Sequence, residues 1–331
     1  MATEAGVPDV TAVIPTHNRC GLLRRAVATA LAQEHVDVQV VVVDDGSTDG
    51  TAAWLDVIRD DRVTAVRHER PLGVAVARNV GIERASGRYV AFLDDDDLWA
   101  PDKLAAQLDA LAAHPNARWC IVGAAVVDPA LRLQRFQQPP EDAHELVPRL
   151  LRSNCVPGGG SGVLVDRALA DELRFDPDLS LLADWDFWIR CASSSSAATV
   201  PRPLVAYVRH RASMSSSLEA FGRELAHVQR KQADVSVAVG ASIDWLAWLP
   251  WLAARHLAAG QLRPALASWS QAARLPGGRR VALRAIASAI APALQARGRR
   301  HRALLRQGWQ QELDCWLAPH RQKASGSRTP R

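Results

Sequence analysis

The sequence contains no paired cysteines. Its five cysteines are an odd number, lie far apart and form no Cys-x-x-Cys motif (Cys20, Cys120, Cys155, Cys191 and Cys315). Disulfide frameworks and cysteine-based metal sites use closely spaced or even-numbered cysteines. The pattern therefore favours reduced thiols in a cytosolic protein.

Long hydrophobic runs are also absent. The longest apolar candidate, residues 235–257, is interrupted by Asp244, Pro250 and Arg255, whereas a membrane-spanning helix needs about 20 predominantly apolar residues. The N-terminal residues contain no basic region followed by an apolar run. We therefore expect no membrane span and no signal peptide, and a cytoplasmic location.

Lysine is missing from the N-terminal part of the chain, where Lys103 is the first to occur. A nucleotidyltransferase also combines an α/β sheet with paired carboxylates. It would normally carry a glycine-rich, lysine-bearing phosphate loop near its N-terminus. The sequence therefore disfavours that class of enzyme.

The chain does contain enough apolar sequence for a large core, together with a strong asymmetry of charge. Of its 331 residues, 48% are hydrophobic and 23% are charged, which suits one large domain and a smaller one. Residues 1–221 carry 22 Lys and Arg against 30 Asp and Glu, a balance of −8. Residues 222–331 carry 18 against 5, a balance of +13. We expect a C-terminal module that meets something acidic: a membrane surface, nucleic acid or another face of this protein.

Strand-like and helix-like patterns alternate in the N-terminal third of the chain. We predict strands at Val10–Ile14, Val38–Val43, Arg62–Arg67 and Tyr89–Leu93, each followed by a helical pattern. Four such units predict a doubly wound parallel sheet, in which ligands bind beyond the carboxyl ends of the strands. Beyond about residue 220 the pattern is helical.

The fourth predicted strand ends in four consecutive carboxylates, Asp94 to Asp97. Mutual repulsion and desolvation make such a cluster costly at the edge of a sheet unless a cation is present. Because apolar residues flank the run on both sides, we interpret it as a divalent-metal site rather than a solvated acidic turn.

Two further segments are candidates for the same edge. Residues 157–162 form a glycine-rich loop whose backbone could approach a ligand closely or simply connect two elements. A helical pattern starting at Ala183 has Asp184 and Asp186 in its first turn. Acidic side chains at that position also stabilise a helix through its dipole, so a structural role stays open.

Five ordered segments of the chain resemble the family 2 glycosyltransferases of the GT-A fold. They are VIPTHNR at 13–19, VVDDGSTD at 42–49, GVAVARNVG at 73–81, FLDDDD at 92–97 and DWDFW at 184–188. The resemblance covers about residues 8–217. It implies an α/β GT-A fold with a doubly wound mixed sheet and leaves an all-helical C-terminal extension. It also implies transfer of a sugar from a nucleotide diphosphate donor, UDP- or dTDP-linked, to an acceptor hydroxyl with inversion.

The resemblance implies a metal site and a catalytic base. The family's Asp-x-Asp motif falls on Asp94 and Asp96, which implies Mn²⁺ or Mg²⁺ bound by Asp96, with Asp94 at the ribose or the metal. His210 matches a position that offers a further metal or phosphate contact. The family's base falls on Asp184, although Ala183 replaces the Glu that usually precedes it, so Asp186 is kept as a reserve base.

The resemblance also implies which residues recognise the nucleotide. Pro15, Thr16 and Asn18 would line the base, His17 stands where the family often has a stacking Tyr, and Asp45 would accept a hydrogen bond from an imide NH. The set of donor-binding residues is completed by Arg19, Arg78, Asp94 and Asp95.

A catalytically lapsed nucleotide-sugar-binding or scaffold protein is the alternative, and the missing Glu before Asp184 is its support. We expect a role in the synthesis of cell-surface polysaccharide, glycolipid or glycoconjugate, with a sugar, lipid-linked or other hydroxyl acceptor and no nucleic acid partner.

We divide the chain into a catalytic domain (1–217), a helical domain (218–320) and a disordered basic tail (321–331). The helices could dock on anionic lipid at the inner face of the membrane. Alternatively they pack on the catalytic domain or on a second subunit as a homodimer. The residues considered for lipid docking are Trp245, Trp248, Trp251, Trp269 and the arginines between 297 and 306.

Overall fold

The computed structural model describes residues 7–140, 145–209, 218–290 and 303–325. Within these ranges nine strands form one sheet. They are β1 (Val10–Thr16), β2 (Val38–Asp44), β3 (Val63–Arg67), β4 (Tyr89–Phe92), β5 (Leu98–Trp99), β6 (Ala117–Val127), β7 (Leu133–Gln137), β8 (Val163–Asp166) and β9 (Ser196–Val208).

Helices cover both faces of the sheet and make up the C-terminal part. They are α1 (Cys20–Leu31), α2 (Thr51–Val57), α3 (Val74–Arg84), α4 (Lys103–Ala113), α5 (Leu146–Arg152), α6 (Arg167–Leu173), α7 (Ala183–Ser194), α8 (Leu218–Lys231), α9 (Ala233–Val239), α10 (Trp245–Ala258), α11 (Leu262–Arg274), α12 (Gly278–Ile290) and α13 (Ala303–Ser325). Within the described ranges, no helix has both the length and the hydropathy that crossing a bilayer requires.

The first four predicted strands are confirmed, and all four run parallel in the order β3-β2-β1-β4. Residues 40–43 of β2 are completely buried, as expected for a strand covered on both faces. The chain leaves β1 towards β2 and β3 and then returns to pair β4 on the other side of β1. The strand order therefore reverses between β1 and β4, which is where open α/β sheets bind ligands.

The other half of the sheet is mixed. Strand β8 runs antiparallel to both β4 and β6, and β9 runs parallel to β6. Because Ala91 of β4 pairs with Leu164 of β8, the glycine-rich loop that precedes β8 lies at the carboxyl end of β4. The parallel sheet predicted from the first four units is therefore only half of the structure, and the mixed sheet implied by the family resemblance is confirmed.

Helices α8 to α10 share a hydrophobic core with the sheet. Phe221 and Leu225 of α8 belong to the same buried cluster as Trp185 of α7. The Trp248 ring of α10 lies 5.6 Å from the Trp185 ring, and Trp269 of α11 is only 8% exposed. Trp248 and Trp269 therefore pack within the protein, as the packing alternative predicts. Trp251 is 37% exposed, the arginines between 297 and 302 lie outside the described residues, and lipid docking stays a hypothesis.

Helix α13 returns to the catalytic sheet. Its Leu313 and Leu317 are completely buried in a cluster that includes Leu98, and Glu312 forms an ion pair with Arg202 of β9. The helix runs to Ser325, so the first residues of the predicted disordered tail are helical. Residues 326–331 lie outside the described ranges.

Candidate active site

The loops that follow β1, β2 and β4 are joined at one edge of the sheet. The Thr16 hydroxyl at the end of β1 donates a hydrogen bond to Asp95 Oδ2 (2.7 Å). The backbone NH of Asp45, just after β2, donates to the Thr16 carbonyl (2.8 Å). This arrangement follows from the parallel register of the three strands and places their polar ends side by side.

The loop after β1 is fixed against the loop after β2. His17 Nδ1 donates to the Asp45 carbonyl (2.7 Å), and the Asn18 side-chain oxygen accepts from the Thr48 NH (2.7 Å). His17 and Asn18 are exposed, whereas Pro15 is buried within β1. The exposed tip, rather than Pro15, is the part of this loop that a nucleotide base could reach.

Asp45 lies beside the N-terminus of α3. Its carboxylate accepts hydrogen bonds from His68 Nδ1 (2.7 Å), the Leu72 NH (2.8 Å) and the Gly73 NH (2.8 Å). Burial would raise the pKa of Asp45, but these hydrogen bonds outweigh it and lower the pKa. Its Oδ2 accepts only the Gly73 bond among the contacts of the described residues, which leaves a second lone pair for a ligand.

Arg19 clamps the acidic turn after β4. Its Nη1 lies 3.0 Å from Asp95 Oδ1 and 2.8 Å from Asp96 Oδ2. Burial together with the neighbouring carboxylates Asp94 and Asp95 raises the pKa of Asp96 to about 7, in spite of Arg19. The turn therefore carries more negative charge than this arginine compensates.

Asp97 plays a different part from the other three aspartates. It is completely buried, and its carboxylate accepts from Ser161 Oγ (2.6 Å) and from the Val208 NH (2.9 Å). Ser161 Oγ in turn accepts from the Asp94 NH (3.0 Å). This hydrogen-bonded chain ties the acidic turn to the glycine-rich loop and to the end of β9.

Arg78 of α3 is buried against the acidic turn. It is 4% exposed, and its Nη2 lies 2.7 Å from Asp94 Oδ1. Gly160 is packed against this pair, since a Cβ there would lie 3.0 Å from Arg78 Nη2 and 3.6 Å from Asp94 Oδ1. A solvated position on an exposed helix face is therefore excluded for Arg78.

Asp184 occupies the first turn of α7 and is partly exposed. Its Oδ1 accepts from the Trp185 NH (2.7 Å), and Asn154 Nδ2 lies 3.5 Å from its Oδ2. A Cβ at Gly159 would lie 3.6 Å from the same Oδ2. Burial raises the pKa of Asp184, and the Arg78 guanidinium opposes that rise.

Tyr207 of β9 lies within electrostatic reach of the acidic turn and of Asp184. Burial, followed by the charges of Asp97, Asp94, Asp96 and Asp184, raises the pKa of Tyr207, so its hydroxyl stays protonated. Ser161 lies in the glycine-rich loop that the sequence points to, but no pattern indicates a role for its hydroxyl, for Tyr207 or for Asn154, because these roles depend on neighbours far away in the chain.

Two predicted residues do not join this cluster. Asp186 is completely buried and binds Arg190, Lys231 and Gln232. It therefore faces α8, and the structure gives no support to its use as a reserve base. His210 lies outside the described residues.

The acidic turn supplies part of a candidate metal site. Among the described residues, no three His, Cys, Asp or Glu side chains converge closely enough to form a complete metal site. Asp94 and Asp96 nevertheless offer partly exposed carboxylate oxygens, which Mg²⁺ and Mn²⁺ prefer. Burial, ahead of the charges of Asp94 and Asp95, raises the pKa of Asp96, and a bound divalent cation would favour the ionised carboxylate. These two residues fit the cation.

The sequence that builds most of this site matches a known protein family. Residues 11–173 match the family described as glycosyl transferase family 2. The chain carries a family 2 glycosyltransferase domain. The family 2 match includes the loops after β1, β2 and β4, and it ends before Asp184 and the C-terminal helices.

Two curated relatives resemble the family 2 domain. The succinoglycan biosynthesis protein ExoO of Rhizobium meliloti is 47% identical over 103 residues, which are 31% of this chain and 30% of ExoO. The UDP-Glc:alpha-D-GlcNAc-diphosphoundecaprenol beta-1,3-glucosyltransferase WfaP of Escherichia coli is 34% identical over 99 residues, 30% of this chain and 39% of WfaP. The matched segment thus spans well under half the length of each relative.

A solved structure extends the likeness to the whole fold. The mannosyltransferase PcManGT of Pyrobaculum calidifontis, in complex with GDP-Man and Mn²⁺, aligns with 98% of this chain and 89% of its own at a TM-score of 0.54 and 20% identity. The family 2 domain of this chain therefore has the GT-A fold.

Proposed function

We propose that this protein is an inverting glycosyltransferase that moves a sugar from a UDP- or dTDP-linked donor to an acceptor hydroxyl during synthesis of a cell-surface polysaccharide or glycoconjugate. The convergence of Asp94 and Asp184 on the glycine-rich loop carries the proposal, since a Cβ at Gly160 would lie 3.6 Å from Asp94 Oδ1 and one at Gly159 would lie 3.6 Å from Asp184 Oδ2. Such a reaction needs a diphosphate and an attacking alcohol at the same carbon atom. The family 2 domain and the likeness to ExoO and WfaP support it.

The donor would bind across the loops after β1, β2 and β4. The exposed His17 and Asn18 and the remaining lone pair of Asp45 are available to the nucleotide base. Asp94 and Asp96 would hold Mn²⁺ or Mg²⁺, which when bound supplies positive charge beside the diphosphate leaving group. Arg78, already paired with Asp94, adds positive charge at the same place.

Asp184 would act as the general base. Its carboxylate would accept the proton of the acceptor hydroxyl while that oxygen attacks the anomeric carbon. The bond from this carbon to the diphosphate oxygen breaks, and its electron pair leaves with the diphosphate. Burial raises the pKa of Asp184 and so makes the ionised carboxylate a stronger base.

A nucleotide titration tests the proposal. Binding of UDP, dTDP and GDP is measured calorimetrically with and without Mn²⁺ for the wild type, Asp96→Ala and the exposed control Asp178→Asn. Hydrolysis of the matching donor is then assayed. We expect Mn²⁺-dependent binding of UDP or dTDP and slow donor hydrolysis in the wild type and the control, and loss of the Mn²⁺ dependence in Asp96→Ala.

The outcomes distinguish an active glycosyltransferase from a catalytically lapsed scaffold. Metal-dependent binding without any turnover would favour the lapsed scaffold. Absence of nucleotide binding in the wild type would overturn both.

We infer further that the acceptor is lipid-linked and is met at an anionic membrane surface through α11 and α12. Residues 245–311 contain eleven arginines and no Asp or Glu. Leu262, Leu266 and Leu283 are 57%, 53% and 67% exposed on these helices. Exposed leucines in a segment that is rich in arginine and free of Asp and Glu suit a surface that is both anionic and apolar.

Co-sedimentation with vesicles tests this inference. We expect binding to vesicles rich in anionic lipid, weakened by salt and by the double substitution Leu262→Ser and Leu266→Ser, and little binding to zwitterionic vesicles. Absence of binding at low salt would discard the membrane contact. Light scattering of the protein without vesicles would detect a homodimer.

A further inference from the structure

The helix that carries Asp184 has no cap of its own. Leu182 is the N-cap residue of α7, and its side chain accepts no hydrogen bond. The first NH groups of a helix have no partner within the helix and must be satisfied elsewhere. The Trp185 NH is satisfied within the turn by Asp184 Oδ1, whereas the residues that lead into the turn are held from outside α7.

Glu224 of α8 makes that contact. Its Oε1 accepts from the Ser180 NH (3.1 Å) and hydroxyl (2.7 Å). Its Oε2 accepts from the NH groups of Leu181 (2.8 Å) and Leu182 (2.9 Å). One carboxylate thus holds three consecutive backbone NH groups directly before α7, at the positive end of the helix dipole.

A second attachment holds the same turn from the other side of Asp184. Lys231 Nζ lies 2.9 Å from Asp186 Oδ2, and Gln232 Nε2 donates to Asp186 Oδ1 (2.8 Å). Lys231 also pairs with Asp176, in the segment that leads to Ser180. Asp184 therefore lies between two fixed points, and both are supplied by residues at or next to α8.

We propose that Glu224 is a positioning residue for Asp184. It acts by fixing residues 180–182 and hence the direction in which the Asp184 carboxylate enters the cleft. This inference rests on the proposed function of Asp184 as the base. Because α8 lies outside residues 11–173, the segment matched by the family does not contain everything that the site needs.

Substitution of Glu224 is expected to lower turnover without lowering nucleotide affinity, which a merely structural role would not do. Among the described residues, Glu224 hydrogen-bonds Ser180, Leu181 and Leu182, and none of these belongs to the loops that would bind the donor. Misplacement of a base lowers turnover and leaves nucleotide affinity intact, whereas general loosening of the fold lowers both. A displacement of about 1 Å can reduce turnover by about a hundredfold.

The test compares Glu224→Gln with the control Glu219→Gln, an exposed Glu on the same helix. Three quantities are measured in the full chain: kcat for donor hydrolysis, the Kd for UDP with Mn²⁺, and amide hydrogen exchange in a peptide covering residues 176–190. For Glu224→Gln we expect kcat to fall at least about tenfold, Kd to stay within about twofold and exchange at 181 and 182 to accelerate. The control should match the wild type.

The outcomes are distinct. An inactive wild type would overturn the proposed function. An active wild type with unchanged kcat in Glu224→Gln would overturn this inference alone, as would a parallel loss of kcat and UDP affinity. If Glu224→Gln does not fold, Lys231→Gln, which weakens the second attachment, is judged by the same three measurements.

Discussion

The four neighbouring aspartates of the acidic turn have four different environments. Asp94 pairs with Arg78, Asp95 with Thr16 and Arg19, Asp96 with Arg19, and Asp97 is buried against Ser161 and Val208. Their position at the edge of the sheet could be predicted, because an apolar strand precedes them. Their division of labour could not, since Ser161 and Val208 lie far away in the sequence.

At the residue scale, Asp184→Asn is expected to abolish catalysis and preserve donor binding. The amide keeps the shape of the side chain but cannot accept a proton, and a general base contributes about 10² to 10⁴ in rate. Donor hydrolysis and UDP affinity should be measured together, with Asp178→Asn as the control. An Asp184→Asn enzyme with normal turnover would place the base elsewhere.

At the scale of single elements, long periodic segments were predictable and short edge strands were not. The strands predicted at Val10–Ile14 and Val38–Val43 are recognisable because their runs of β-branched and apolar residues suit strands covered on both faces, and the structure extends them to Thr16 and Asp44. Strand β5 has only two residues, and the first part of β9 contains polar residues and prolines, so neither has a recognisable period. The glycine-rich loop was noticed, but its contacts with Arg78 and Asp184 required the antiparallel pairing of β8 with β4.

Gly160→Ala tests how closely this loop approaches the site. Its backbone has a conformation that alanine can adopt, but the new Cβ would lie 3.0 Å from Arg78 Nη2 and force the arginine away from Asp94. We expect donor affinity and turnover to fall by about tenfold, with a change in the free energy of unfolding below about 1 kcal/mol. Gly21→Ala, where no heavy atom lies within 4 Å of the new Cβ, is the control. Unchanged kinetics in Gly160→Ala would mean that the glycine-rich loop can move away from Arg78 without any effect on the site.

Helix α4 begins with Lys103, which is completely buried over the Trp99 ring at 4.0 Å. Burial lowers the pKa of Lys103 to about 7. In the unfolded chain this pKa is near 10.5, so between about pH 7 and 10.5 the unfolded state binds more protons. Stability therefore rises with pH in this window.

Lys103→Met should remove this pH dependence. Between pH 7 and 9 we expect the free energy of unfolding of the wild type to gain up to about 1.4 kcal/mol per pH unit relative to the variant. Urea unfolding at several pH values measures the difference. Parallel pH profiles for the two proteins would show that Lys103 is not desolvated in the folded state.

At the scale of the whole molecule, the charge asymmetry predicts a separate C-terminal module and the sequence pattern predicts its helices, but neither predicts how these helices attach to the sheet. They were assigned to a separate domain because their composition changes after residue 221. In the structure Phe221 and Leu225 lie in the catalytic core, and α13 covers another edge of the sheet. Composition indicates the charge of the surface. The attachment of these helices to the sheet depends on a few buried apolar residues, and their spacing is the same as in any amphipathic helix.

Leu317→Ala tests the attachment of α13. Leu317 is completely buried near Leu98, the residue that follows the acidic turn. Truncation of a buried leucine costs about 2–5 kcal/mol, because it loses transfer free energy and leaves a cavity. We expect a decrease of this size in denaturant unfolding, against a change within about 0.5 kcal/mol for the exposed control Leu262→Ala. A small effect at Leu317 would indicate that α13 is not part of the folded unit.

The external cap on α7 has a consequence for building chimaeras between relatives of this protein. A cut at residue 217, the natural choice from the sequence, would sever Glu224 from the backbone it holds. If only the C-terminal helices are exchanged, the new helices must supply a carboxylate at the position of Glu224. Without it, we expect a chimaera that binds nucleotide but has a misplaced Asp184. Recombination points placed after α8 keep the donor-binding loops, Asp184 and Glu224 in one segment of the chain.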